Sequence, residues 1–458
     1  MRVRLMTVMA LAAMALCVPA LAHAANFDVN AATDAYLATV TGDARAKSDA
    51  YFEGGYWLIL WDTVVAIVAA LVILFTRVST GMRNVAERLT RWRWLQTFIY
   101  ALLFIIVFSV LTFPMTIYEE FYREHAYGLS NLTLQGWLGE FAIKSAIFGV
   151  IGAIVLVPIY AIIRSSRNWW LWLGALNAAL TLLLVLAQPL FLEPLLNTYK
   201  EMDEGPVKES ILSIARANGV PTTHVYQVDA SRQSDRISAN VAGFLSTVRI
   251  ALNDNLLKRG TPAEVKAVMA HEIGHYVLNH IVKLVIYTSL LAAASFAFAG
   301  LLFGVLQSVF GGLWGVRNIG DTAGMPMLAI GLALFNMAAT PVQNSIIRES
   351  EAQADIFGLN AAREPDAFAT AILKLAEYRK LDPTPLEEII FYDHPSGRSR
   401  VHMAMQWKSE HLNDLPATPP PSAPATAAPA AAAPAQATPP DSAEPVPQGP
   451  DPDDKPVP

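Results

Sequence analysis

The chain has 458 residues, 53% of them hydrophobic and 16% charged, with a mean hydropathy of +0.36 and a formal net charge of -6. This composition is oilier than that of a water-soluble globule and carries no basic excess, so it indicates a membrane protein and excludes nucleic-acid binding. The one cysteine, Cys17, excludes a disulfide framework and a cysteine-ligated zinc site, leaving histidine and carboxylate to hold any metal.

Residues 1–25 combine two arginines, an apolar stretch and a small-residue "AHA" before Ala25, the pattern of a cleaved secretory signal; the alternative is a first membrane span. Apolar stretches near the ~20 residues that cross a bilayer follow at 57–76, 95–117, 145–163 and 169–192, with two more at 282–307 and 325–345. Asp62, inside the first, is expected to face protein or water rather than lipid. Five arginines against one acid mark the loop 77–94 as cytoplasmic, because cytoplasmic loops collect Lys and Arg. Alternation then places 193–281 and everything after 346 on the non-cytoplasmic side. With a secretory signal, this predicts a bacterial inner-membrane protein whose polar domain faces the periplasm.

Residues 26–192 are thus expected to form a four-span membrane region, and 193–414 a second domain carrying two further spans. In the latter, "GPVKESILSIARANGV" predicts a short amphipathic helix stopped at Asn218-Gly219. "HVYQVD", "SANVAGF" and "TVRIALN" predict short strands of a small antiparallel sheet. Thr261-Pro262-Ala263-Glu264 has the form of a capping box with proline at the first helical position. The segment 415–458 is rich in proline and alanine, cannot bury a core, and is expected to be an extended tail.

The helix opened by Thr261 contains "HEIGH". His271 and His275, four apart, project from one face and can aim both imidazoles at a single ion, while Glu272 lies close enough to reach a water there without ligating it. In this H-E-x-x-H pattern zinc supplies Lewis acidity and the glutamate takes a proton from the water attacking a peptide carbonyl. A metzincin would continue with glycine and histidine where this chain has Leu278 and Ile281, which excludes that class. On an uninterrupted helix His280 falls on the face opposite His271 and is read as a polar residue near the membrane entry. The third ligand must come from elsewhere, and "SIIRESEAQADIFGLNAA" offers acids: Glu351 and Asp355 share a face, so one could bind metal while the other orients a histidine, with Glu349 as competitor. These readings predict a mainly α, polytopic helical membrane protein with a zincin-type metalloprotease domain holding one Zn2+.

The "HEIGH" and "ESEAQAD" segments, together with "REHAYGLSNLTLQGWLGEFAIK" and "DHPSGRSR", resemble the CAAX prenyl protease 1 family of integral-membrane gluzincin endopeptidases, over about residues 50–405. The resemblance implies Glu351 as third zinc ligand and Asp355 as its neighbouring histidine's partner. It further implies that His394 and Arg400 line the active site, His394 helping to stabilise the oxyanion and Arg400 touching substrate. "SANVAGF" corresponds to the family's edge strand, on which an extended peptide adds as another strand, with Asn240 contributing a hydrogen bond. The six spans and signal-like start differ from the seven spans of animal and fungal members, and the arginine pattern places the catalytic domain opposite to theirs. The alternatives are a heat-shock-type quality-control protease of the membrane and, from another class, a non-catalytic membrane binding or scaffold protein.

Overall fold

The computed structural model describes residues 27–187, 197–243, 248–375 and 378–415. The signal-like start and almost all of the proline-rich segment therefore lie outside the described residues. Helices run over α1 Val29–Leu37, α2 Gly42–Phe75, α3 Val78–Leu89, α4 Arg93–Ile117, α5 Leu134–Ser165 and α6 Trp169–Ala187. After β1 Tyr199–Glu201 come α7 Pro206–Ala217, β2 Val225–Val228, β3 Ala239–Ala242, β4 Arg249–Asn253, α8 Asp254–Arg259 and α9 Pro262–Val277. The chain continues through α10 His280–Trp314, α11 Met325–Ala362, α12 Pro365–Lys374, α13 Pro385–Phe391 and α14 Gly397–Glu410.

Five helical stretches among the described residues are long and apolar enough to cross a bilayer: Gly42–Phe75, Arg93–Ala126, Leu134–Ser165, His280–Trp314 and Thr322–Ala362. The fourth expected span corresponds to α6, which runs to the edge of the described residues. At 1.5 Å per residue, the 34 residues of α2 reach about 50 Å, well past a hydrocarbon core of about 30 Å. Its first turns therefore leave the apolar layer and meet the polar domain, where Ser48 Oγ donates to Arg379 O at 3.0 Å. Asp62 borders an open cavity of about 470 Å3 together with Glu119, Arg123 and Arg236.

The sheet order is β1-β2-β4-β3. β2 and β4 run parallel while the two outer ladders are antiparallel, so the sheet is mixed rather than wholly antiparallel as expected. The reason lies in the connection after β2, which passes beyond the place of β4 before β3 turns back. Asn253 and Asn255 pin that connection by donating to Arg236 O at 2.6 and 3.1 Å. Neither hydrophobic alternation nor turn signals encode such a crossover. The three residues of β1 are too few to carry a periodicity in the sequence.

One face of the sheet buries Val225, Ile250 and Leu252 against Ile211 of α7 and Val265, Met269 and Ile273 of α9. This fixes α9 beside the edge strand β3. Helix α7 ends as predicted, with Asn218 as cap and Gly219 at φ +71°. The capping box also forms: Glu264 N donates to Thr261 Oγ1 at 3.3 Å and Thr261 N to Glu264 Oε2 at 2.7 Å. On its other side α9 meets α11 so closely that a Cβ on Gly358 would stand 3.0 Å from His271 N and 3.1 Å from its Cα. Any side chain at 358 would push the two helices apart at the residue where they matter most.

Candidate active site

Helices α9 and α11 carry the groups that meet. His271 Nε2 lies 3.1 Å from His275 Nε2 and 3.3 Å from Glu351 Oε2, and His275 Nε2 lies 3.5 Å from Glu351 Oε1. Nitrogen and oxygen ligands at about 2.0–2.1 Å from a tetrahedral ion stand roughly 3.3 Å from one another, so these spacings suit one cation. His271 and Glu351 are buried. Burial favours the neutral form of His271, but its hydrogen bonds to Asp355 and Glu351 outweigh that and push its pKa up to about 10. The donor set fits a metal of the zinc type.

Glu349 does not join this group. It is exposed on the other side of α11 and accepts from Gln353 Nε2 at 2.9 Å.

Each ligand-type side chain is backed by another residue. His271 Nδ1 is 2.8 Å from Asp355 Oδ1, and Asp355 is fully buried. Arg400 donates through Nε to Asp355 Oδ2 at 2.8 Å and through Nη2 to Oδ1. Ser396, after Pro395, caps α14 by accepting from Ser399 N at 3.2 Å, which sets Arg400 in the first turn facing Asp355. At 5% exposure and committed to Asp355, Arg400 stands behind the ligands rather than on the substrate side where the sequence placed it. The guanidinium of a buried ion pair is spent on its partner, which is why a position inferred from the "H-P…R" pattern misses its orientation.

His280 is the larger departure. The helix does not continue through it: Leu278 closes α9, Asn279 adopts φ +55°, and α10 starts in a new direction. His280 thereby swings back, with Nδ1 2.9 Å from His275 Nδ1 and Nε2 3.2 Å from Gln353 Oε1. Asparagine tolerates the left-handed region better than other side-chain-bearing residues, so the Leu278-Asn279 step held a stop signal that the helical extrapolation passed over.

His394 Nε2 approaches Glu351 Oε2 at 3.3 Å and its Nδ1 lies 2.8 Å from Asp393 Oδ1. Burial would raise the Asp393 carboxyl, but adjacent His394 holds it below the ordinary range. Glu272 borders a cavity of about 160 Å3 together with Ile237, Ala239 and Val268. Desolvation pushes its carboxyl up against the opposing pull of His271 and His275. Asn240 sits on β3 opposite Ala251, and its Oδ1 is buried without a hydrogen bond.

Membrane-crossing helices joined to an H-E-x-x-H helix and a facing carboxylate define a membrane metalloendopeptidase. More particularly, the chain belongs to peptidase family M48, whose profile matches residues 201–408, preceded over 29–198 by a match to the "CAAX prenyl protease N-terminal, five membrane helices" family. It is 31% identical over 314 residues to the CAAX prenyl protease 1 homolog of Oryza sativa subsp. japonica, covering 64% of this chain and 69% of that one. The uncharacterized metalloprotease YhfN of Bacillus subtilis is 26% identical over 336 residues, covering 73% and 79%. In fold, the crystal structure of S. mikatae Ste24p superposes with a TM-score of 0.67 at 22% identity, over 80% of this chain and 89% of that one.

Proposed function

We propose that His271, His275 and Glu351 hold one zinc ion and that the protein hydrolyses peptide bonds beside it. The mutual spacing of the three ligand atoms is the observation that carries this reading. When bound, zinc supplies Lewis acidity and lowers the pKa of water at the site. Glu272 takes the proton of the attacking water, a task for which its raised pKa is suited, and passes it to the leaving amine. Asp393, 2.8 Å from His394 Nδ1, orients the ring that stabilises the oxyanion developing on the scissile carbonyl. Asp355 fixes the ring of His271, and Arg400 fixes Asp355; both are positioning residues.

The substrate is an extended peptide added to the free edge of β3, which among the described residues pairs only with β4. The unpartnered Asn240 Oδ1 accepts a backbone N–H of that peptide. Several relatives are named CAAX prenyl proteases, and an apolar-tailed peptide reaching the site along the membrane fits a domain joined to long spans. Residues 26–192 act as the membrane region and 193–414 as the protease domain, with the active site on the periplasmic side of a bacterial inner membrane. A reporter enzyme fused after residue 410 is then active only outside the cytoplasm, and cytosolic activity reverses the orientation.

Purified protein is expected to contain about one zinc per chain. Cleavage of an unstructured peptide should stop on chelation and return on adding zinc. Peptide cleavage undiminished after complete metal removal overturns the reading. His280→Ala is expected to lower zinc affinity by about 10–100-fold, the usual cost of losing the group that orients a ligating histidine. A competition titration against a chromogenic chelator measures this, and unchanged affinity would mean that the His275–His280 contact is only packing.

A further inference from the structure

At the end of the helices remote from the metal-type site, the loop before α11 folds against α3, α4 and α5 around a polar cavity of about 290 Å3. Four guanidinium groups border it, from Arg83, Arg93, Arg164 and Arg317, against two carboxylates, Glu87 and Asp321. Both acids are already taken. Arg83 Nη1 pairs with Asp321 Oδ2 at 2.7 Å, and Arg317 makes a two-pronged pair with Glu87 at 2.6 and 3.1 Å.

The other two arginines make no ion pair among the described residues. Among the described residues Arg164 donates only to neutral acceptors, Gly320 O at 2.8 Å and Thr97 Oγ1 at 3.0 Å. Arg93 makes no side-chain hydrogen bond or ion pair among the described residues. Four positive groups less two negative ones leave a surplus of two charges converging on one cavity from α4 and α5. Like charges are not gathered without cost, and planar guanidinium forks match the oxygens of a phosphate.

The cavity sits at a membrane surface. From Met325, at the start of α11, to Glu351 there are 26 helical steps, or about 39 Å, more than the ~30 Å of hydrocarbon. Trp92 and Trp94 stack beside it with ring centroids 6.1 Å apart and are both more than half exposed, as expected of an interfacial aromatic pair. Helix α3 buries Met82, Arg83 and Ala86 inward while Val85 and Leu89 face outward, the disposition of a helix lying in the interface.

We propose that this arginine-bordered cavity is a binding site for a phosphate ester at the membrane surface opposite the peptidase centre, held between Arg93 and Arg164. An anionic phospholipid headgroup and a soluble phosphate share this chemistry. Full-length protein in neutral detergent is titrated with dioleoyl-phosphatidylglycerol, with dioleoyl-phosphatidylcholine and with inorganic phosphate, and bound ligand is counted by native mass spectrometry.

Phosphatidylglycerol is expected to bind saturably and more tightly than phosphatidylcholine. Arg93→Gln should weaken it roughly fivefold and Arg93→Gln with Arg164→Gln roughly 25-fold. Arg88→Gln, on the same basic segment but off the cavity, should leave it unchanged. Arg93 has no side-chain partner to lose, so the single variant should unfold at the wild-type temperature. If inorganic phosphate alone shows this dependence on Arg93, the site stands and its ligand is soluble. Equal binding of both ligands to wild type and the double variant, or equal losses for Arg88→Gln and Arg93→Gln, overturns the proposal.

Discussion

Glu272→Gln protein is expected to retain its zinc and lose its turnover. Glutamine matches glutamate in shape, and Glu272 is not among the three residues whose atoms converge, so the ion-binding geometry is left alone. What disappears is a carboxylate able to take a proton from water and return it to the leaving amine. Positioned general bases contribute about 10²–10⁴-fold, which corresponds to roughly 3–5 kcal/mol of barrier. The loss should fall on kcat with KM little changed, since the peptide is held elsewhere. Metal analysis beside kinetics separates the possibilities: equal activity with equal zinc removes Glu272 from the chemistry, and activity lost together with zinc makes it a structural residue.

The second large effect concerns the carboxylate opposite the histidines. Glu351→Gln replaces a buried anion, flanked by imidazoles at 3.3 and 3.5 Å, with a neutral amide that ligates poorly. Zinc affinity should fall by more than the ~10–100-fold expected for losing an orienting partner, and peptide cleavage should fall with it. Glu349→Gln changes an exposed residue bonded only to Gln353, and should leave affinity within a factor of about two. The reverse ranking would move the third ligand to Glu349.

Much of this centre is written locally. The i, i+4 pair His271 and His275, the Thr261–Glu264 cap and the stop at Asn218-Gly219 each depend on neighbours within one or two helical turns, and each forms as read. The choice between Glu349 and Glu351 does not depend on local pattern. Helical spacing alone leaves both acids eligible, and it is the packing of α11 on α9, made close by Gly358, that brings Glu351 forward and turns Glu349 away. The parallel β2–β4 ladder is likewise a product of a crossover fastened by Asn253 and Asn255, which no alternation of apolar residues reveals. His280 differs for the opposite reason: a local signal, the left-handed Asn279, breaks the helical continuity from which its face is extrapolated. The direction of the Arg400 guanidinium, which donates to Asp355, is likewise not fixed by a residue count.

Helix α11 runs continuously over 38 residues, with Pro341 inside it, from Met325 to beyond Glu351. Excising the bilayer-embedded half would remove the mast to which that carboxylate is fixed. A water-soluble fragment of this enzyme should therefore be inert even if its sheet and α9 fold, and hydrolysis and lipid embedding are properties of a single mechanical part.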